Sequence, residues 1–370
     1  MTAKEEEQLK FRIALTLIPN VGSVLAKSLV SYCGSVEKIF REKQHALIKI
    51  PGVGEVVAQS IREFNDFERA EKEIEFIIKY KITPMFYTDK SYPQRLRNCS
   101  DSPVMLFYKG EADLIQQRFV AFVGTRKATE YGKIQTEKII EDLKLYNVTI
   151  ISGLAYGIDI CAHKAALKND IPTVAVLAHG LDRIYPGSHR SIAEKMLHNG
   201  GLLTEYLSNT NPDRENFPTR NRIVAGISDA TVVIEAAETG GALITAEMAN
   251  NYNRDVFALP GRADDYYSKG CNRIIKTNKA ALIENADDIV YQLGWQNTEV
   301  KKKNKQRELF VELTDDERTI FQKLNAGSSV GIDTICLESN LNTSKVAATL
   351  LALEFKGLIK ALPGKMYQAI

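Results

Sequence analysis

Phe119-Val120-Ala121-Phe122-Val123-Gly124-Thr125-Arg126 and, further along, Val148-Thr149-Ile150-Ile151-Ser152-Gly153-Leu154-Ala155-Tyr156-Gly157-Ile158-Asp159 share one construction. In each, a short apolar run ends in a glycine turn and gives way to a helical pattern. Similar runs follow at Thr173 to Leu177, Leu202 to Glu205, Thr231 to Glu235 and Val256 to Leu259. From about 119 to 293, then, short apolar runs alternate with amphipathic helices. That alternation predicts an α/β fold, a Rossmann-like, mostly parallel sheet covered by helices on both faces.

Ligands of such sheets bind outside the carboxyl ends of the strands. The residues just after each run are therefore the candidates: Gly124 and Arg126 after the first, Ser152 and Gly153 after the second, Gly240 and Gly241 after the fifth. Arg214, Phe217, Arg220, Asn221 and Arg222 lie ahead of the helix expected to lead into the fifth strand. Glycine turns bring backbone amides close to an anion, and the helix that follows adds a favourable dipole. Arginine grips phosphate bidentately, and an aromatic face stacks an unpaired base for about 1–3 kcal/mol. The mixture suits single-stranded nucleic acid better than duplex. Each residue also has a structural reading. The glycines serve as packing turns, Asn221 and Arg222 as cap or ion-pair residues, and Phe217 as a core plug. His163 and Asp159 have no serine or cysteine nucleophile in a matching context, and are read as helix and turn residues.

The flanks read as separate modules. In residues 1–80, Ile18-Pro19-Asn20-Val21-Gly22 with Ala26 is echoed by Ile50-Pro51-Gly52-Val53-Gly54 with Ala58. This is the pattern of a helix-hairpin-helix, whose turn amides hold a backbone phosphate. Glu55 beside the better turn leaves a helical docking module as the other reading. The α/β domain is expected over 81–298 and a basic linker over 299–308. In 309–370, a capping box at Thr314 to Glu317, three short helices and a strand pair broken by Pro363-Gly364 suggest a winged helix. Its third helix offers one cation, Lys345, so duplex recognition and protein docking both stay open.

Bulk properties set outer limits. The 370 residues carry a net charge of +2, too small to predict nucleic-acid binding without local clustering. No apolar run approaches a membrane span, and the amino terminus has no signal-peptide order, so a cytoplasmic location is expected. Five scattered cysteines with no CxxC pair predict free thiols; no metal and no cofactor are expected.

Read in order, Gly124-Thr125-Arg126, Ser152 to Asp159 with His163, Tyr185-Pro186, Phe217-Pro218-Thr219-Arg220-Asn221-Arg222, Gly240 to Ala246 and Arg254 to Gly261 resemble the signature of the DNA-processing protein A (DprA/Smf) family. The resemblance implies a non-enzymatic homodimer that binds single-stranded DNA. It further implies protection of incoming strands in natural transformation and loading of the RecA recombinase onto DNA coated by single-strand-binding protein. Arg126 matches the family arginine of the DNA pocket, Phe217 the base-contacting aromatic, Arg214 the basic residue before it and Arg220 the arginine of the Phe-Pro string. The chain departs from the family pattern at His189 and at Thr239 to Ala242. The rival is a phosphoribohydrolase-like Rossmann nucleotide hydrolase, in which a glycine turn precedes a helix with a catalytic glutamate. Here Thr245 and Glu247 lack that motif's proline, third glycine and spacing.

Overall fold

Each of the six apolar runs forms a strand, because β-branched and aromatic side chains fill both faces of a buried pleat. The computed structural model describes residues 2–115, 118–295, 313–324, 329–339, 341–362 and 365–369. It divides into two units, 1–296 and 297–370. The strands of the first are β1 (Thr83–Phe86), β2 (Met105–Gly110), β3 (Arg118–Val123), β4 (Val148–Ser152), β5 (Thr173–Val176), β6 (Gly200–Thr204), β7 (Ala230–Val233), β8 (Asp255–Ala258) and β9 (Ala281–Leu282). They lie in the order β1-β2-β6-β5-β4-β3-β7-β8-β9. The sheet is parallel from β6 to β9, and β2 and β1 extend it antiparallel.

The chain lays β3 to β6 outward in one direction and then returns to place β7 to β9 on the other side of β3. The crevice between β3 and β7 is therefore the switch point at which an open sheet binds its ligand. Alternate residues of β3 enter two cores: Phe119, Ala121 and Val123 join one, Val120 and Phe122 the other. Burial on both faces is what made the run read as continuously apolar.

Six helices precede the sheet: Ala3–Leu17, Ser23–Cys33, Val36–Arg41, Gln44–Leu47, Glu55–Glu63 and Phe67–Tyr80. The near-repeat is structural. Val21 N donates to Ile18 O, as Val53 N does to Ile50 O, and Gly22 and Gly54 cap the helices that follow. The helix before the second turn is only Gln44–Leu47. Residue 80 does not separate two packed bodies, since the helical core continues through Phe86, Val104, Met105 and Phe107 of the antiparallel hairpin. Glu73, 2% exposed, clasps the layers together by accepting from the Ser208 amide and hydroxyl while it pairs with Arg69 at 2.9 Å.

The second unit has helices Asp315–Phe321, Ile332–Ser339 and Thr343–Phe355 beside β10 (Val330–Gly331), β11 (Ile359–Leu362) and β12 (Met366–Ala369). The Thr314/Glu317 capping box is present, and β11 and β12 pair antiparallel as a wing. Lys345, the one cation of the third helix, lies 2.8 Å from Asp316. The expected linker 299–308 and the Pro363-Gly364 break lie outside the described residues. Among the described residues no helix is long and apolar enough to cross a membrane, and no three His, Cys, Asp or Glu side chains gather to hold a metal. All five cysteines are free.

Candidate nucleic-acid interface

A cleft of about 600 Å³ opens at the switch point. The turn after β3 brings Gly124, Thr125 and Arg126 to it, and the turn after β7 brings Ala236 to Ala242. The loop after β6 adds Arg214, and the helix Asn216–Ile227 adds Phe217, Arg220 and Asn221. Eight sequence-predicted residues thus meet in one place: Gly124, Arg126, Arg214, Phe217, Arg220, Asn221, Gly240 and Gly241.

Arg126 and Arg214 are exposed, and neither guanidinium has an ion pair or hydrogen bond among the described residues. The Arg126 guanidinium lies 5.3 Å from the centroid of the Phe217 ring, a cation–π distance. Phe217 joins none of the hydrophobic cores, so it is not a core plug. Its ring meets Tyr185 edge-on at 6.1 Å. Tyr185, 48% exposed, belongs to the sequence signature and lines the cleft beside the predicted residues. The cleft therefore sets two unpaired cations beside a half-exposed aromatic pair.

The two glycine turns differ. Gly240, at φ 150°, opens the helix Gly241–Asn251, and the amides of Gly241 and Ala242 have no acceptor among the described residues. Unfilled amides at a helix N-terminus are able to hold an anion. At the other turn the expected anion site is filled by the chain itself, because Asp159 accepts from the amides of Gly153 at 3.2 Å and Ala155 at 3.3 Å. Burial pushes the Asp159 carboxyl above its ordinary range, and Arg220 opposes that shift.

Four of the named residues serve the scaffold. Arg220 is 3% exposed and donates to Gly153 O at 2.8 Å and to Val176 O. It touches the cleft but spends most of its donors inward. A Cβ on Gly153 would lie 2.5 Å from the Arg220 guanidinium, so only glycine allows this approach. Ser152 is fully buried, with its hydroxyl donating to Phe122 O. Arg222 is not in the cleft: it pairs with Glu205 at 2.5 Å and donates to Asp101 O. The cause is the helix, since Phe217 to Arg222 form its first turns instead of preceding it. Proline is tolerated in a first turn, so Pro218 does not stop it. At 3.6 residues per turn, Arg220 and Arg222 then point about 200° apart.

His163, 0% exposed, bonds Thr173 through Nδ1 at 2.7 Å, and burial lowers its pKa to about 3. It is a neutral interior residue. The first helix-hairpin-helix turn, Val21 to Ser23, lines a cavity of about 590 Å³ shared with Glu205 to Thr210 of the sheet layer. Its turn faces the chain's own loop, and Glu55 stands exposed at the start of the helix after the second.

Comparison with known proteins agrees with this architecture. The profile of a family described as DNA recombination-mediator protein A matches residues 83–294. Profiles for a helix-hairpin-helix motif and a DprA winged helix domain match 11–74 and 308–365. Protein Smf of Synechocystis sp. is 32% identical, over 96% of this chain and 97% of its own. The X-ray structure of DNA processing protein A from Streptococcus pneumoniae superposes with a TM-score of 0.68 at 32% identity, covering 76% of this chain and 97% of that one. DNA processing protein A from Helicobacter pylori, whose structure is described in terms of its single-stranded DNA binding mode, has a TM-score of 0.53 at 28% identity, over 58% and 96%. A profile match over more than half of the chain and a relative aligned along nearly its whole length lead to one conclusion: the chain belongs to the DNA-processing protein A (DprA/Smf) family.

Proposed function

We propose that the switch-point cleft binds single-stranded DNA, with phosphates on Arg126, Arg214 and the Gly241 and Ala242 amides and a base against Phe217. One observation carries this: two cations without an ion pair or hydrogen bond among the described residues flank a half-exposed aromatic pair, at a helix terminus whose amides have no acceptor among those residues. Phosphate contacts supply affinity independent of sequence, and stacking selects unpaired bases because a duplex hides their faces. Arg220, Gly124, Ser152 and Gly153 hold the floor, Asn221 spans from Arg220 to Gly241 O, and Arg222 braces the outer loop.

The protein acts by holding the strand, without covalent chemistry. Support comes from Glu247, the residue nearest in sequence to the rival hydrolase's catalytic glutamate: it pairs with Lys279 at 2.7 Å and does not line the cleft. The finer role follows the family resemblance: a cytoplasmic homodimer that shelters incoming strands in transformation and loads RecA onto DNA coated by single-strand-binding protein. Two subunits on one strand would bind at raised effective concentration.

The test is a fluorescence-anisotropy titration of matched single-stranded and duplex DNA at two salt concentrations, with nucleoside monophosphate hydrolysis followed on the same preparation. Salt-sensitive preference for the single strand without turnover is expected. Nucleotide hydrolysis with negligible DNA affinity would overturn the reading in favour of the hydrolase.

A further inference from the structure

A second concavity, of about 830 Å³, lies next to the cleft. The segment after β3 reaches it through Thr129 and Tyr131, where the next helix begins, and the segment after β7 supplies its floor with Glu235. Tyr131, Tyr266 and Tyr267 line it, with Pro260 and Arg262. Tyr131 and Tyr266 are 50% and 63% exposed. Tyr131 stands in the first turn of the helix Glu130–Asp142, and the loop of Tyr266 is pinned rather than loose: Ala236 N donates to Tyr267 O at 2.7 Å, and Asn272 bonds both the amide and the carbonyl of Gly261. Tyr266 and Tyr267 meet edge to face at 5.1 Å. Large aromatic faces held in water on a fixed scaffold are poised to stack.

The floor decides what stacks there. Glu235 is 5% exposed and accepts from the Thr129 amide at 2.9 Å and from its hydroxyl, so a fixed carboxylate underlies the cavity. That charge opposes a phosphate inside. Arg262 is exposed, and its guanidinium has no partner among the described residues. A base within and a phosphate on Arg262 satisfy both. The cavity is also tied to the cleft, because Thr125 N donates to Glu235 O at 2.7 Å.

We propose that this tyrosine cavity is a second stacking subsite, taking an unpaired nucleobase from the strand whose phosphates lie on Arg126. The proposal rests on the single-strand reading of the cleft. Tyr266→Ala, Tyr266→Phe and Arg126→Ala are compared with the unaltered protein in anisotropy titrations against two oligothymidines. One, of about six nucleotides, is sized to the cleft, and the other is several nucleotides longer. Tyr266→Ala is expected to weaken the longer strand about five- to tenfold and leave the shorter unchanged, while Tyr266→Phe, which still stacks, retains the affinity. Equal affinities for Tyr266→Ala and the unaltered protein at both lengths, with Arg126→Ala still weakened, would overturn the subsite and leave the cleft standing. A uniform loss at both lengths would also overturn it, by showing a general structural effect. Insensitivity of both lengths to Arg126→Ala would remove the cleft reading and the subsite together.

Discussion

Two glycine turns stand at the carboxyl edge of the same sheet, each opening a helix, and only one is free. In the turn after β4, Asp159 is the second residue of the helix Ile158–Lys168, and its carboxylate takes the turn amides. In the turn after β7, Ala242 is the second residue of its helix, and the amides stay open beside Arg126 and Arg214. Glycines alone therefore do not make an anion site. An acidic residue at the second helical position turns one into an internal cap. On the proposed reading the filled turn belongs to the scaffold and the open one to the ligand, and mutations should separate these roles.

The largest effect is expected at the filled turn. Arg220→Ala would strip the donors from Gly153 O and Val176 O and leave Asp159 without its opposing charge. Loss of one member of a buried charged set costs about 3–5 kcal/mol, read as a lower urea midpoint. A loss under about 1 kcal/mol would erase the contrast, because Arg220 would then behave as a surface ligand arginine.

Next comes the proton linkage behind that turn. His163, on the same helix, has a folded pKa lowered to about 3 from an unfolded 6.5. Between those values the unfolded chain holds the extra proton, so this contribution is complete above about pH 6.5 and is lost as the pH falls toward 3. Urea unfolding should show about 2 kcal/mol lost from this source between pH 7 and 5. His163→Asn, which cannot titrate, should reduce the pH dependence by that amount.

The smallest effect sharpens the comparison most. Ala242→Asp would place a carboxylate at the open helix terminus, where its charge opposes a phosphate on the Gly241 and Ala242 amides. Binding of single-stranded DNA should weaken by about 1 kcal/mol, roughly fivefold, while thermal stability holds or rises slightly. Unchanged affinity would mean that the open amides do not meet phosphate.

Much of this was legible in the sequence. The apolar runs gave all six predicted strands, because burial on both faces leaves a continuous hydrophobic signature. The winged-helix elements followed from the Thr314 capping box, the three short helical stretches and the strand pair after them. The antiparallel hairpin of β1 and β2 was not read, since Thr83-Pro84-Met85-Phe86 is short and its pairing depends on tertiary contacts. At the site, Arg126, Arg214 and Phe217 assemble where the strand ends predicted. The sequence reading sets the Phe217–Arg222 string ahead of the helix that it in fact begins. Placing it on a helix would have separated Arg220 from Arg222 by periodicity alone. The sequence marks Asp159 as a turn residue, and only the fold shows that its carboxylate fills the neighbouring amides.

The most direct test of the central claim is the salt dependence of single-stranded DNA binding for the unaltered protein, Arg126→Ala and Arg214→Ala. Each substitution should lower affinity and reduce the slope of log affinity against log salt by about 0.7, the share of one single-strand phosphate. Affinity and slope unchanged in both variants would contradict the account, because the strand would then lie elsewhere on the molecule.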